Sequence, residues 1–395
     1  MTAATTDHPG ASARQEGDSP EFTRLRADRH RVGLSVMEAL QLDALVVGRE
    51  STVQYLSGAR RFWTEGARPF GPSGVMIAGS GRVHLLSTWS DGVPAEIGHD
   101  QLFGMTWNGA ILAGELAAIP GLADSRRIGV DAMTPGVARL LEAVAPDAEL
   151  VDASAALMEA RRVKTPDELA CIRAAVSCAE SALDYGLAGL RPDVGGRELT
   201  GRVAARLADL GVTNSDLEAR FSSGGPGSGS NSGELLRAGE LITGQVGALY
   251  AGYEGEVVRT WINGGPDGGP VAPTPAQRRL GGRGSALFEA LLEACRPGAS
   301  GSDLLAVYQE AGEPLPSLPV AHGVGLGLEP PLIGSGFPAD AGASSQLEPG
   351  MVLFVLGQVR DPEVGTVAAG ETVLITDAGH ERLGGQDLGP LFKGS

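Results

Sequence analysis

Three side chains in two short segments have the chemistry of a general acid–base site. Glu254 and Glu256 lie two residues apart in "GYEGEVVRTW", and His322 stands in "AHGVGLGLEPP". Residues two apart on a strand share a face, so a strand over the first segment would place both carboxylates side by side. An imidazole that faces two carboxylates can exchange protons near neutral pH. We therefore take His322, Glu256 and Glu254 as candidate catalytic residues.

Composition excludes several classes of function. The chain has 395 residues and a formal net charge of -17, which argues against a nucleic-acid groove and an anionic membrane surface. Three cysteines are too few for a disulfide framework and are typical of a reducing compartment. No secretory signal and no apolar run long enough to span a membrane are visible in the sequence. The expected location is the cytoplasm.

The pattern along the chain predicts two domains after a polar tail. Residues 1–20 are polar and predict disorder. Residues 21–155 alternate short apolar strands with helices, which indicates a small α/β domain. Residues 156–395 hold runs of helices and strands, beginning with a helix whose N-cap is Thr165 and whose first residue is Pro166. The whole is predicted to be α+β.

Five segments of the second domain together resemble one superfamily. They are "EARRVKTPDELACIRAA", "GALYAGYEGEVVRTW", "HGVGLGLEPP", "LEPGMVLFV" and "GETVLITDAGHERL". In this order they are similar to the pita-bread fold of creatinase, Xaa-Pro aminopeptidase, prolidase and methionine aminopeptidase. The resemblance implies a curved antiparallel sheet of six strands, two helix pairs outside it and an active site in its concave centre. The N-terminal "ALVVGRESTVQYLSGARRFW" resembles the smaller domain of the creatinase and prolidase branch.

The same resemblance bears on metal binding. In the peptidases two Asp, one His and two Glu hold two divalent metals, and these positions fall on Gln245, Glu256, His322, Leu356 and Gly370. Only Glu256 and His322 keep a ligand-type side chain, so a dinuclear metal site is not expected. One metal on these two residues stays an alternative. No cofactor is predicted.

Further polar residues of the large domain are candidates for binding a substrate. They are Gln245, Glu329, Tyr253, Ser228, Asn231 and Glu371. Gln245 would orient the substrate through its amide. For Tyr253, packing inside the protein is the alternative to substrate binding. Glu371 reaches the site only if the register slips by one residue, because neighbours on a strand point to opposite faces. The loop around Ser228 is either a flexible linker or an anion-binding loop. Arg259 is predicted to support the sheet by pairing with a carboxylate.

The segment "RRFWTEGARPF" is basic and aromatic in an acidic chain. By resemblance to creatinase dimers, this part of the small domain reaches the active site of the partner subunit. The candidates for binding a substrate carboxylate there are Arg60, Arg61, Trp63 and Arg68. A homodimer is therefore expected, with ordinary surface as the alternative for these four residues.

Creatinase has this fold and uses no metal, which makes a metal-independent enzyme the leading hypothesis. It would hydrolyse a C–N bond of a small polar nitrogen-containing substrate with His322 as acid and base. A creatinase-like proton-shuttling His before the strand pair is missing here, so the mechanism is not a direct copy. The alternatives are a cofactor-free lyase, isomerase or cyclase of specialised metabolism and a non-catalytic ligand-binding module.

Overall fold

The chain divides into two compact units. The computed structural model describes residues 20–59, 72–90, 92–104, 106, 108–214, 219–223, 235–265, 269–337, 345–388 and 391. One unit is Arg14–Arg161 and the other contains Arg162–Ser395. The boundary therefore follows the helix at residues 154–160, whereas the sequence pattern placed it between residues 155 and 156, inside that helix.

The N-terminal unit is an α/β domain, as its alternating pattern predicts. Its elements are α1 (Pro20–Ala39), β1 (Ala44–Val47), α2 (Glu50–Ser57), β2 (Gly74–Ile77), β3 (Val83–Leu86), β4 (Leu102–Phe103), α3 (Gly109–Ala117), β5 (Arg127–Val130), α4 (Pro135–Val144), β6 (Glu149–Asp152) and α5 (Ser154–Ala160). The sheet has the order β4-β3-β2-β1-β5-β6, with β1, β5 and β6 parallel. All four residues of β1 are buried, as expected for a strand that lies between β2 and β5 inside the sheet.

The C-terminal unit is built on a curled antiparallel sheet. Its elements are α6 (Pro166–Leu187), α7 (Gly196–Asp209), β7 (Thr213–Asn214), β8 (Arg220–Ser223), β9 (Leu241–Tyr250), β10 (Tyr253–Ile262), α8 (Pro275–Ala294), α9 (Gly301–Glu310), β11 (Ala321–Gly325), β12 (Gly327–Ile333), β13 (Val352–Asp361), β14 (Gly365–Thr376) and β15 (Gly379–Arg382). Six strands run in the order β12-β11-β13-β14-β10-β9, while β7 and β8 extend β9 and β15 extends β14. The α+β class and the pita-bread architecture are confirmed.

Two helix pairs cover one face of this sheet. Helix α6 lies against α7, β9 and β10, and helix α8 lies against α9, β13 and β14. The start of α6 is fixed by a capping box, in which the Thr165 hydroxyl accepts from the Glu168 amide and the Glu168 carboxylate accepts from the Thr165 amide. Gly255 lets α6 approach β10, because a Cβ there would collide with the backbone nitrogen of Val176. Among the described helices, none is long and apolar enough to cross a membrane.

Side chains join strands β10 and β14 at the centre of the sheet. The Thr372 hydroxyl accepts from the Glu256 amide at 3.2 Å and donates to the Glu256 carbonyl at 2.9 Å. The Thr260 hydroxyl makes the equivalent pair of bonds with Ala368, at 2.9 and 2.8 Å. Both threonines are completely buried. Each hydroxyl thus satisfies one backbone amide and one carbonyl that the two strands do not satisfy with each other.

We expect Thr372→Val to destabilise the C-terminal unit by about 2–3 kcal/mol, because it keeps the shape but leaves a buried amide and a buried carbonyl unpaired. Urea unfolding measures the change. The matched control is Thr366→Val on the same strand, whose half-buried side chain makes no hydrogen bond with the described residues, and it should change stability by less than about 0.5 kcal/mol. Equal effects of the two substitutions would contradict this role of the hydroxyl.

Candidate active site

Two rows of directly opposed residues form the helix-free face of the sheet. The first, the Gln245 row, consists of Arg220, Gln245, Val258, Gly370 and Leu356. The second, the Glu256 row, consists of Glu256, Thr372, Phe354 and His322. Opposed residues in a ladder project from the same face. All five positions that the resemblance assigns to metal ligands therefore lie on one face.

The sheet curls enough to bring its distant strands together. Strands β14 and β13 lie between β10 and β11, so flat strands would separate Glu256 from His322 by roughly 14 Å. The imidazole Nε2 of His322 is nevertheless only 3.6 Å from the carboxylate Oε2 of Glu256. The concave centre thus forms where these two side chains meet.

Glu256 is held in place from one side only. Its Oε1 accepts a hydrogen bond from the Gln245 amide nitrogen, while its Oε2, completely buried, has no hydrogen-bond partner among the residues the structure describes. That oxygen is the one that faces His322. A buried carboxylate oxygen without a donor is costly, so this atom is where a proton or a cationic group would be stabilised most.

The orientation of His322 is also fixed. Its Nδ1 lies 3.2 Å from the carbonyl oxygen of Gly323, and because a carbonyl can only accept, Nδ1 carries a proton. The ring packs against Phe354, with centroids 5.4 Å apart. In the neutral imidazole, Nε2 is therefore the free base that faces Glu256.

Opposing effects set the pKa of His322. Burial lowers it, but the nearby carboxylate of Glu256 raises it, and the Gly323 carbonyl and the charge of Glu254 add to the increase. The net direction is upward from 6.5. Glu254 is itself buried and lies two residues before Glu256 on β10, so the two carboxylates share a face as the sequence predicts.

The residues present do not fit the two metals of the resembled peptidases. Gln245 is a neutral amide, and Leu356 and Gly370 have no donor side chain. A Cβ at Gly370 would lie 2.5 Å from Cζ of Phe354 and 3.0 Å from Cβ of Val258, so an aromatic ring takes the space that a ligand at this position needs. Within the described ranges, no group of three or more His, Cys, Asp or Glu could hold a metal ion.

Two predicted substrate-binding residues lie on the helix-covered face, so these assignments are wrong. Tyr253 donates its hydroxyl proton to Glu168 at the start of α6, at 2.7 Å. Glu371 pairs with Arg259 and, at 2.7 Å, with Arg382. Because side chains alternate between the two faces of a strand, both residues project from the face opposite to that of Glu254 and Glu256. The predicted supporting role of Arg259 is confirmed by its pairing with Glu371.

The prediction that Glu329 binds the substrate is also wrong. Glu329 opposes Gly323, the neighbour of His322, so its side chain leaves the sheet on the other face. There it forms an ion pair with Lys164 at 2.9 Å, with both side chains almost fully buried. Its carboxylate takes the space beside Gly325. Glu329 therefore supports the strand that carries His322 and does not line the site.

The remaining candidates fall outside the described residues. They are Ser228, Asn231, Arg60, Arg61, Trp63 and Arg68. Conversely, sequence reasoning missed Phe354 and Arg220. The run "MVLFVLGQ" reads as ordinary core, and only the register with β14 reveals that Phe354 faces the site. Arg220 is visible as a charge next to Phe221 in a short strand, but its neighbours become known only from the pairing of β8 with β9.

Comparison with known proteins agrees with the fold. A model of "Metallopeptidase family M24" matches residues 170–377, more than half of the chain, and one of "Creatinase/Prolidase N-terminal domain" matches residues 34–163. The chain therefore belongs to the M24 family of the pita-bread superfamily, a family of peptidases and other hydrolases.

Its relatives are distant. An uncharacterized hydrolase/peptidase of Sinorhizobium fredii is 24% identical over 375 residues, which cover 88% of this chain and 91% of the relative. An uncharacterized peptidase of Bacillus subtilis is 25% identical over 269 residues, covering 65% and 72%. The structure of the prolidase from Pyrococcus horikoshii superposes with a TM-score of 0.72 at 19% identity and covers 91% of this chain and 99% of that one.

A metal-binding side chain introduced at position 370 should not create a metal centre. We expect Gly370→Glu to lower the free energy of unfolding by about 3 kcal/mol or more, because the new side chain collides with Phe354 and buries a charge. Metal analysis after dialysis against Mn²⁺ should give less than stoichiometric metal. The control is Gly282→Glu at an exposed position of α8, where an added Cβ meets nothing within 4 Å. A stable Gly370→Glu protein with one or two bound metals would refute the steric argument.

The pKa of His322 gives a second test. In an NMR titration we expect a midpoint above 6.5 in the wild type and below 6.5 in Glu256→Gln, where burial remains but the charge is gone. Because the folded-state pKa is raised, the pair contributes stability below pH 6.5, and this contribution is lost as pH rises through the folded-state value. The variant should lack that pH dependence. An unchanged midpoint in Glu256→Gln would show that Glu256 does not set the charge of His322.

Proposed function

We propose that this protein is an enzyme in which His322 and Glu256 perform acid–base chemistry without a bound metal. The reaction is the hydrolysis of a C–N bond in a small polar nitrogen-containing substrate. The observation that carries this proposal is the 3.6 Å approach of His322 Nε2 to the buried Oε2 of Glu256, which has no hydrogen-bond partner in the described part of the chain. Membership of a family of peptidases and hydrolases supports a C–N bond as the target.

The mechanism assigns one role to each fixed atom. Since Nδ1 of His322 donates to Gly323, Nε2 takes a proton from the attacking water and returns it to the leaving nitrogen. The charge of Glu256 stabilises the imidazolium that forms between these steps, and Gln245 keeps that carboxylate aligned. Glu254, on the same face of β10, favours a cationic nitrogen in the substrate. The step is balanced, because the proton removed from water leaves with the amine.

A metal would supply a low-pKa water in the resembled peptidases. Here the residues at those positions do not fit metals, since Phe354 fills the space beside Gly370. This misfit supports the proposal that His322 replaces the metal as the group that activates the attacking water.

A second candidate is a proton-transfer reaction without water, such as an elimination, isomerisation or cyclisation. The apolar side chains of Val258, Phe354 and Leu356 in the two rows favour it, because a dry site strengthens the electrostatic pairing of the imidazole with the carboxylates. The predicted homodimer, in which residues 60–70 reach the site of the partner, and the predicted cytoplasmic location accompany either candidate.

The experiment uses protein treated with a chelator and a panel of guanidino acids, N-acyl and N-alkyl amino acids and Xaa-Pro dipeptides, followed by mass spectrometry. We expect turnover without added metal and a 10²–10⁴-fold lower kcat in His322→Gln and Glu256→Gln. The control, His380→Gln on β15, should keep full activity.

The outcomes separate the candidates. Loss of activity with chelator and its return with Mn²⁺ would sink the metal-independent mechanism. Exchange of ligand C–H protons with deuterated solvent, without cleavage and dependent on His322, would favour the proton-transfer reaction. Binding of panel members with neither cleavage nor exchange would indicate a ligand-binding module.

A further inference from the structure

Arg220 stands on the active-site face of the sheet. It directly opposes Gln245 across the β8–β9 ladder, and opposed residues project from the same face. The neighbouring residue Phe221 agrees with this orientation of Arg220, because the Phe221 ring lies against Gly244 and Gly186 on the side of α6. Alternation along β8 then directs Arg220 to the concave side.

The guanidinium of Arg220 has no ion pair or hydrogen bond with any residue that the structure describes, although the side chain is half-buried. Other arginines of this unit at similar depth are paired. Arg382, for example, contacts Glu371 at 2.7 Å with its side chain 32% exposed. A half-buried guanidinium pointing into a concave site is therefore available to a ligand.

The row in which Arg220 lies contains no carboxylate. Its other members are Gln245, Val258, Gly370 and Leu356, none of them charged. The negative charges of the site lie one row further along, on Glu256, and two rows further along, on Glu254. The concave face thus has a positive end at β8 and a negative end at Glu256 and Glu254, and this charge pattern fits a dipolar ligand.

We propose that Arg220 binds the carboxylate of a zwitterionic substrate, whose nitrogen lies at Glu256, Glu254 and His322. This inference rests on the proposed function for the role of the nitrogen end, and it adds an anion-binding residue and a substrate class. The planar guanidinium forms two parallel hydrogen bonds with a carboxylate. A phosphate would fit the same donors, but its second charge would be repelled by the two glutamates, so the ligand is a carboxylate.

The test measures binding without turnover. Proline, N-methylglycine and glycylproline are each titrated beside their carboxamides, with the NMR signals of the His322 ring as reporter. Wild-type protein should bind the acids at least tenfold more tightly than the amides. In Arg220→Gln this preference should disappear, while Arg220→Lys should keep part of it. Thermal melting verifies that each variant is folded.

The matched control is Arg279→Gln. Arg279 is exposed on α8 and, like Arg220, has no partner in the described part of the chain, so the acid preference should be unchanged. Equal binding of acids and amides by the wild type, a preference that survives in Arg220→Gln, or the failure of every acid to shift the His322 signals would each overturn the proposal. Inorganic phosphate that competes better than acetate would overturn the carboxylate assignment.

Failure of this inference can be told apart from failure of the proposed function. His322→Gln removes the proposed acid–base group but leaves Arg220 in place, so it should abolish turnover while the acids still bind, here followed by calorimetry. Turnover unaffected by His322→Gln, together with weaker acid binding in Arg220→Gln, would leave Arg220 as the anchor and remove His322 as the catalyst. Loss of turnover in His322→Gln, together with unchanged acid binding in Arg220→Gln, would keep His322 as the catalyst and remove Arg220 as the anchor.

Discussion

The pairing of β10 with β14 is the constraint on which the rest of the site depends. The buried hydroxyls of Thr260 and Thr372 each replace backbone bonds between these strands, and the Arg259 guanidinium donates to the Gly370 carbonyl at 2.8 Å. These contacts fix β10 in one register, and the register decides which of its side chains face the cavity. Both Glu256 and the space beside Gly370 are positioned by this join.

Strict alternation along β10 separates two kinds of charge. Glu254 and Glu256 face the concave side, whereas Arg259 faces α6 and pairs with Glu371, with Glu180 of α6 at 3.6 Å. The burial of Arg259 lowers its pKa, and its carboxylate neighbours oppose that effect. Removing either partner of such a buried pair leaves an uncompensated charge. The helix-side pair therefore holds the sheet against α6 and keeps its charges away from the acid–base pair.

The sequence predicted what depends on local pattern. The helix start at Thr165, the strand that carries Glu254 and Glu256, and the pairing role of Arg259 all follow from spacing or from the resemblance. The face of the sheet from which Glu329 projects could not be predicted, because the register between β11 and β12 shifts between His322 and Gly323. Phe354 and Arg220 needed the register of strands that are distant in the chain. Long-range register is set by the whole sheet and leaves no mark in a single segment.

The composition of the two rows on the concave face decides which charge this face attracts. A row with carboxylates at 245, 356 and 370 would attract cations. With Gln245, Leu356 and Gly370, and with Arg220 at its end, the same row would repel them and attract an anion. The absence of carboxylates at these positions and the presence of Arg220 thus act in the same direction. A ligand anchored at Arg220 would place its other end one row away, beside the only imidazole–carboxylate pair in the described part of this face.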